Sequence, residues 1–209
     1  MQILLISASE RSDGATAAAL GIAKGVIEEA GAACKQYTVP NRSYACSGCG
    51  ACKRSGFCIH GDLDPLYELI SESDGLMIAT PTHYCGANPA LSATLSRLFM
   101  SKIDIFKRKP AAFISVGRRA GLFPALADSE RFFSFSASPI ANGVYPAIYY
   151  GSGDTEGEES IVSLTENLLW LIEAVTLMKK SGASEPCDRR SARTDLRSLI
   201  ALSHQGKEE

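Results

Sequence analysis

"ILLISASERSDGAT", residues 3–16, decides the fold, because a short apolar run passes through small and polar residues into a helical pattern. Ile3–Ser7 is typical of a parallel strand that is buried on both faces. Beyond the loop, apolar residues recur at helical spacing at positions 19, 22, 23, 26 and 30, and Gly31 marks the end of the helix. The stretch predicts the first strand, loop and helix of an α/β sheet.

The same alternation of strand and helix continues along the chain. Further strands are predicted at 34–39, 75–80, 111–116 and 143–150, and further helices at 64–73, 89–102, about 124–135 and 160–180. The alternation indicates right-handed crossovers and an open parallel sheet that is covered by helices on both faces. Pro146 cannot donate to a strand ladder, so we expect the last strand at a sheet edge.

Ligands of such sheets bind beyond the carboxyl ends of the strands. The loops 7–16, 81–88 and 117–121 all leave the carboxyl ends of predicted strands, so functional residues are expected there. In the first loop, a helix N-terminus with free amides makes a ready phosphate site. Small residues would let the backbone approach an anion, and Arg11 would add a charge-assisted contact. An ordinary strand–helix turn, capped by Ser and Asp, is the alternative for this loop alone.

Amino-acid composition and net charge limit the classes of function that the chain can have. The chain has 209 residues with 45% hydrophobic and 21% charged, which is typical of a globular protein. We predict one domain, 1–182, followed by a C-terminal tail, 183–209, that is either a short self-associating helix or a solvated terminus. The net charge of −2 argues against nucleic-acid binding.

No secretory signal is visible at the N-terminus. The longest apolar helix candidate carries Glu166, Asn167 and Glu173, so it is expected to be a buried helix and not a membrane span. Seven cysteines without a signal indicate a reducing cytosol, where clustered thiols more often bind metal or do redox work than form disulfides. We therefore predict a cytoplasmic protein.

The first loop resembles the phosphate loop of the flavodoxin-like NAD(P)H-dependent FMN reductases. Ser9, Arg11, Gly14 and Thr16 match that family, whereas Ala15 stands where an Asn is frequent. The resemblance implies a flavodoxin-like, doubly wound, five-stranded parallel sheet of order 2-1-3-4-5 in three αβα layers. It also implies that these five residues bind FMN and that NAD(P)H is a possible electron donor.

The second and third loops extend this resemblance. "TPTHYCGANPALSATLSRL", residues 80–98, is similar to the family's segment beside the isoalloxazine ring, with departures at His83, Ser92 and Ser96. "VGRRAG", residues 116–121, is similar to the segment beside the pyrimidine edge, where a cation would favour an anionic reduced flavin. The residues implied in cofactor binding are Pro81, Thr82, His83, Tyr84, Gly117, Arg118, Arg119 and Gly121. His83 is expected to stack on the ring or to donate a hydrogen bond to it.

Four cysteines fall within "CSGCGACKRSGFC", residues 46–58, at spacing C-x2-C-x2-C-x5-C. Structural zinc usually takes two separated pairs of ligands, whereas a compact loop suits a [4Fe–4S] cluster, in which each thiolate meets a different iron. We favour a cluster on Cys46, Cys49, Cys52 and Cys58, with metal-free thiols and zinc as alternatives. Gly48, Gly50 and Gly56 would allow the tight backbone. The remaining cysteines, Cys34, Cys85 and Cys187, are expected to be plain thiols.

The cysteine motif also resembles that of the iron–sulfur flavoproteins, a branch of the same family, as a loop at 40–62 inserted between the second strand and the second helix. That resemblance implies electron transfer between a reduced donor and an acceptor through FMN and the cluster. It further implies a homodimer or homotetramer, with a redox protein or a small molecule as partner. A cluster-free NAD(P)H-dependent FMN or quinone reductase and a zinc-stabilised binding module are the alternatives.

Overall fold

The computed structural model describes residues 1–184 of the chain. The chain divides into a large unit, Met1–Leu177, and a short C-terminal unit that begins at Met178. Cys187 and almost all of the predicted tail lie outside the described residues, so the division after residue 182 stays a prediction.

Five parallel strands form one sheet in residues 1–184, in the order β2-β1-β3-β4-β5 that the family resemblance implied. The strands are β1 Gln2–Ser7, β2 Ala33–Thr38, β3 Gly75–Pro81, β4 Ala111–Val116 and β5 Ile148–Tyr149. β3 and β4 are buried almost throughout, because helices cover both faces of the sheet. The order reverses at β1 and β3, which places the carboxyl ends of these two strands at the topological switch point.

Residues 1–184 form six α-helices, one of which, Cys52–Ser55, lies in the inserted cysteine loop. They are α1 Ala15–Glu29, α2 Cys52–Ser55, α3 Asp64–Glu72, α4 Pro89–Lys102, α5 Leu122–Glu130 and α6 Thr155–Lys180. β1 shows how the layers form, because Leu4 and Ile6 enter the core on one face while Ile3 and Leu5 enter the core on the other. The first core includes buried residues of α3, α4 and α5, and the second includes those of α1 and α6, so the fold has the predicted three layers.

Several element bounds differ from the sequence prediction. α6 begins at Thr155 and not at residue 160, and three other differences have a local reason. β5 is two residues long and not eight, because Ile140 bridges to Ala111 while the segment containing Pro146 leaves the sheet before the chain returns at Ile148. α5 ends at Glu130 and not near residue 135, because the chain bends and buries Phe133 between aromatic rings of the core. The cysteine loop contains one short helix, α2, where no regular structure was predicted.

α6 is the one helix in residues 1–184 whose length and composition would allow it to cross a membrane, with a mean hydropathy of 1.5. A core helix of a globular protein passes the same test. Ile161, Leu164 and Leu168 are buried in the core that α6 shares with the sheet, and Glu166 and Glu173 interrupt its sequence. The expectation that no segment spans a membrane stays a prediction.

Candidate functional site

A cavity of about 540 Å³ lies beyond the carboxyl ends of β3 and β4 and beside the start of α1. Its volume is in the range of small-molecule and cofactor sites. We call it the strand-end cavity. It is bordered by Arg11, Ala15, Thr16, Pro81, Thr82, His83, Tyr84, Cys85, Val116, Gly117, Arg118, Arg119, Ala120 and Tyr150.

All of the residues predicted to bind FMN border this cavity except Ser9, Gly14 and Gly121. Ser9 lies within the loop, where its hydroxyl accepts a hydrogen bond from the Arg11 backbone N–H at 3.3 Å. Gly14 is the N-cap of α1, and Gly121 is the N-cap of α5. These three residues belong to the predicted loops but do not border the cavity.

The N-terminus of α1 leaves its first amides unpaired. Gly14 caps the helix without any side-chain hydrogen bond, and the first turn carries no acidic residue. Unpaired amides at a helix start carry partial positive charge and favour an anion. Ala15 and Thr16 from this turn border the cavity together with Arg11, so this end of the cavity suits a phosphate group.

A tight two-residue turn presents Tyr84 at the rim of the cavity. His83 and Gly86 exchange both backbone hydrogen bonds at 2.9 Å, and the two residues between them, Tyr84 and Cys85, have φ values of 47° and 62°. This is the pattern of a type I′ turn, which costs free energy when glycine is absent. The Tyr84 side chain is fully exposed, so the turn holds an aromatic ring where a planar ligand could stack on it.

The turn also lies directly against the third loop. Gly121 has φ of +85°, and a Cβ built on it would lie 2.7 Å from the Cys85 Cα atom. Thr82 donates its backbone N–H to the Val116 carbonyl at 2.7 Å, which continues the pairing of β3 and β4 into the loops. The second and third loops are therefore fixed to each other at the closed side of the cavity.

Asn88, which the sequence analysis did not select, ties the first two loops together. Its buried side chain donates to the Ala8 carbonyl at 2.8 Å and accepts from the Ala90 N–H at 2.8 Å. Its own backbone N–H donates to the Thr80 hydroxyl at 2.9 Å. The carboxyl ends of β1 and β3 and the start of α4 are thus joined by one residue. An Asn before Pro at a helix start is the signal that could have identified it.

Charge around the strand-end cavity favours an anionic ligand. Arg11, Arg118 and Arg119 border it, and none of the described residues that border it carries a carboxylate. Arg118 and Arg119 are both exposed, so their guanidinium groups are free to approach a ligand. A phosphate bound near α1 and a second polar edge bound near residues 117–119 would each meet a cation.

A second cavity, of about 140 Å³, lies in the inserted loop, and all four motif cysteines border it. We call it the cysteine cavity. The four thiols are free. Gly48 and Gly50 have φ of +70° and +69°, so the backbone reverses direction between successive cysteines in a way that residues with a side chain disfavour. The sequence predicted this role for glycine in the loop.

The cysteine loop is anchored to α3 and α4 by polar and aromatic contacts. The Cys58 backbone N–H donates to the Tyr67 hydroxyl at 3.2 Å, and that hydroxyl lies 2.6 Å from the Ser101 hydroxyl of α4. At the start of the loop, the Ser43 hydroxyl lies 2.6 Å from the Thr94 hydroxyl, also on α4. The loop is thus fixed to α4 directly through Ser43 and to α3 through Cys58, although most of its residues are exposed.

Arg97 of α4 is the most unusual residue beside the cysteine cavity, because it is only 2% exposed. Both terminal nitrogens donate to the Asp62 carboxylate at 2.6 Å. This hydrogen-bonded pair raises the pKa of Arg97 and lowers the pKa of Asp62. The Arg97 Nε–H finds no acceptor, and an unpaired buried donor costs about 1–3 kcal/mol. Arg97 lies in residues 80–98, the segment that resembles the family, and nothing in the sequence indicated its pairing with Asp62.

The residues around the cysteine cavity include the four cysteines that an iron–sulfur cluster would need. Within residues 1–184, no group of three or more His, Cys, Asp or Glu is arranged to hold a single metal ion. A [4Fe–4S] cluster needs four thiolates around a space, and four thiols border this space. Hydrogen bonds from the Ala51 backbone and from Ser47 lower the pKa of the Cys49 thiol, which favours its ligand form.

Sequence reasoning also missed Val116, Ala120 and Tyr150 at the strand-end cavity. Cys85, expected to be a plain buried thiol with contact to a flavin as the alternative, borders the cavity as well and is exposed. Tyr150 directly follows β5, and its carboxyl-end position is the signal that could have identified it. Tyr150 is held there because its backbone N–H donates to the Asp154 carboxylate at 2.8 Å.

Comparison with known proteins agrees with this geometry. The family described as NADPH-dependent FMN reductase matches residues 1–153. An iron–sulfur flavoprotein of Methanocaldococcus jannaschii is 25% identical over 193 residues, covering 86% of this chain and 100% of that protein. One from Archaeoglobus fulgidus is 32% identical over 151 residues, covering 69% of this chain and 74% of that protein.

A solved structure of a flavone reductase has the same fold. It aligns with a TM-score of 0.63 at 17% identity, covering 90% of this chain and 67% of its own. Sheet order, strand-end cavity and family match together lead to one assignment. The chain belongs to the NADPH-dependent FMN reductase family, in its iron–sulfur flavoprotein branch, and is an FMN-dependent oxidoreductase.

Proposed function

We propose that this protein passes electrons between a reduced donor and an acceptor, with FMN in the strand-end cavity and a [4Fe–4S] cluster in the cysteine cavity. The observation that carries the proposal is that four cysteine thiols border one cavity in a chain whose strand-end cavity is cationic. When bound, FMN supplies one- or two-electron exchange and the cluster supplies one-electron exchange.

Different residues of the strand-end cavity would bind different parts of FMN. Arg11 and the unpaired amides of Ala15 and Thr16 would bind the phosphate. Tyr84 would cover the ring from the type I′ turn, and Arg118 or Arg119 would place positive charge beside the polar edge of the ring. These residues bind and orient the cofactor.

The four thiols Cys46, Cys49, Cys52 and Cys58 would hold the cluster as thiolates. The Cys52 thiol donates to the Met100 carbonyl at 3.4 Å, a bond that would be given up on deprotonation. The names of the relatives from M. jannaschii and A. fulgidus support an iron–sulfur group.

A cluster-free NAD(P)H-dependent FMN or quinone reductase is the second candidate, which the description of the family favours. NAD(P)H would then be the donor. The two candidates differ in what the cysteine loop does, since in a cluster-free reductase the four cysteines would remain thiols.

A reductive titration under argon separates these candidates. With FMN and one cluster, we expect about three electron equivalents per chain and an EPR signal from the reduced cluster. With FMN alone, about two equivalents suffice and no iron signal forms. Rapid NAD(P)H oxidation by iron-free protein would favour the second candidate.

We also propose a cytoplasmic homodimer or homotetramer that exchanges electrons with a redox protein or a small molecule. The support for an oligomer is an apolar surface beside α6. The Asn167 side chain donates to the Asn142 carbonyl at 2.8 Å, so α6 and the segment after Asn142 adjoin. Val144, Tyr145 and Trp170 are 79%, 71% and 69% exposed in that neighbourhood. Light scattering should report two or four chains, and a monomer would contradict the proposal.

A further inference from the structure

We propose that Arg97 sets the reduction potential of the cluster, by donating a hydrogen bond to the Cys58 sulfur from a position fixed by Asp62 and Ser43. The inference rests on the proposed function, because it requires a cluster on Cys58. It concerns a tuning residue and not a catalytic one, since Arg97 would touch a ligand of the cluster.

The contacts of Arg97 converge on the cysteine loop. Its Nη1 atom donates to Asp62 at 2.6 Å and lies 3.8 Å from the Cys58 Sγ atom. Its Nη2 atom donates to Asp62 at 2.6 Å and to the Ser43 hydroxyl at 3.3 Å. The planar guanidinium group of Arg97 therefore joins three points of the cysteine loop to α4. These are Ser43 near the beginning of the loop, Cys58, and Asp62 at its end.

The burial of Arg97 makes this arrangement specific. A charged group that is 2% exposed is costly unless it is paired, and the two bonds to Asp62 provide the pairing. They also fix the plane of the guanidinium, so that Nη1 stays directed at Cys58. Lysine could replace the charge but has no planar fork to serve three acceptors at once.

One donor of Arg97 remains unused. The Nε–H is buried and has no acceptor among the described residues, and Arg97 borders the cysteine cavity. Native proteins rarely leave a buried donor unpaired. Because Arg97 borders the cavity, a sulfur-rich group bound there would bring hydrogen-bond acceptors close to this residue.

A hydrogen bond to a ligating sulfur withdraws electron density from it, and a nearby cation stabilises added negative charge. Both effects favour the reduced cluster, so its reduction potential rises. Removing the bond while keeping the charge should make the potential more negative. The FMN potential should not change, because Arg97 does not border the strand-end cavity.

The test is an EPR-monitored redox titration of the intact, anaerobically purified protein. Arg97→Lys keeps the charge and removes the fork, and we expect the cluster midpoint to become more negative while the FMN midpoint stays in place. Asp62→Glu keeps the carboxylate charge but displaces it, which loosens Arg97, and should shift the cluster midpoint in the same direction by less. If Arg97→Lys fails to fold or to bind iron, Asp62→Glu alone decides.

Lys102→Arg is the matched control, because it likewise exchanges one cation of α4 for another beside the loop, where Lys102 packs over the Phe57 ring at 3.9 Å. It should leave the cluster midpoint unchanged. An unchanged midpoint in iron-loaded Arg97→Lys and Asp62→Glu, or an equal shift in Lys102→Arg, overturns the inference alone. Wild-type protein without iron overturns the proposed function together with it.

Discussion

The strand-end cavity and the cysteine cavity are built in different ways. The first is bordered by loops that leave β1, β3 and β4, together with Tyr150 after β5, so the sheet itself brings its residues together. The second is bordered by one inserted loop and by the far end of α4, and polar side chains hold that loop in place. Backbone topology forms one cavity, and side-chain contacts form the other.

This difference implies that the two cavities respond to different substitutions. The strand-end cavity should be sensitive to backbone conformation where its loops touch. The cysteine cavity should be sensitive to the loss of single side chains, since the loop has little regular structure of its own. α4 joins the two, from Asn88 at the first cavity to Arg97 at the second.

The largest effect is expected from Cys46→Ser. Losing one of four thiolates should remove most of the bound iron while leaving FMN bound, because the residues of the strand-end cavity are untouched. Iron, sulfide and flavin are assayed in the same sample. Cys34→Ser is the matched control, since Cys34 lies on β2 away from both cavities, and it should retain full iron. Equal iron in both variants would show that the motif does not hold the cluster.

Gly121→Ala should produce the next largest effect, a loss of about 2–4 kcal/mol in the free energy of unfolding together with weaker FMN binding. Its Cβ would lie 2.7 Å from the Cys85 Cα atom at a φ of +85°. Chemical denaturation of FMN-free protein measures the loss.

Gly31→Ala is the control for Gly121→Ala, because Gly31 has φ of +75° with open space around it. It imposes the same backbone strain without the collision. If both variants lose equal stability, the close approach of the second and third loops contributes nothing to the loss of stability in Gly121→Ala.

Arg11→Ala should weaken FMN binding by about tenfold to a hundredfold, the value of a charge-assisted hydrogen bond. The iron content should stay the same. Fluorescence titration of FMN into FMN-free protein gives the affinity. Lys24→Ala removes an exposed cation of α1 that pairs with Glu28 at 3.6 Å and should leave affinity unchanged; a comparable loss there would point to general charge instead of a phosphate contact.

The smallest effect is expected from Glu130→Gln, at the end of α5 and outside both cavities. Burial raises the pKa of Glu130 above its ordinary value of 4.5. The folded state therefore holds this proton more tightly than the unfolded chain, a stabilising contribution present below pH 4.5 and lost as pH rises through the folded pKa. Glu130→Gln should be slightly more stable than wild type at pH 7 and equal to it in acid. Equal stability at both pH values would contradict the assigned pKa direction.

The strand-end cavity could largely be predicted from sequence because parallel strands bring their carboxyl ends to one edge. Arg11, Pro81 and Arg118 are far apart in the chain, yet each follows a strand, so the topology alone brings them together. Tyr150 was missed because the predicted β5 extended through residue 150, whereas the strand ends at Tyr149. Because Tyr150 was predicted to lie inside the strand, it was not considered as a residue of the loop that follows the strand.

The cysteine cavity was predictable only in part. The spacing of the cysteines identified the ligands, but Arg97 and Asp62 lie 35 residues apart, and no local pattern predicts their pairing. Such a pair depends on how an irregular loop packs on a helix, which propensity and periodicity do not describe. The predicted end of α5 was wrong for the same reason. Phe133 packs on Phe113 in the core, and the helix ends before it at Glu130.

The central claim is that one chain holds two redox groups in two cavities. It is tested most directly by measuring FMN, iron and acid-labile sulfide per chain in protein purified without air. We expect one FMN with four irons and four sulfides, the composition of one [4Fe–4S] cluster. One FMN without iron and sulfide would contradict the claim and leave a cluster-free reductase.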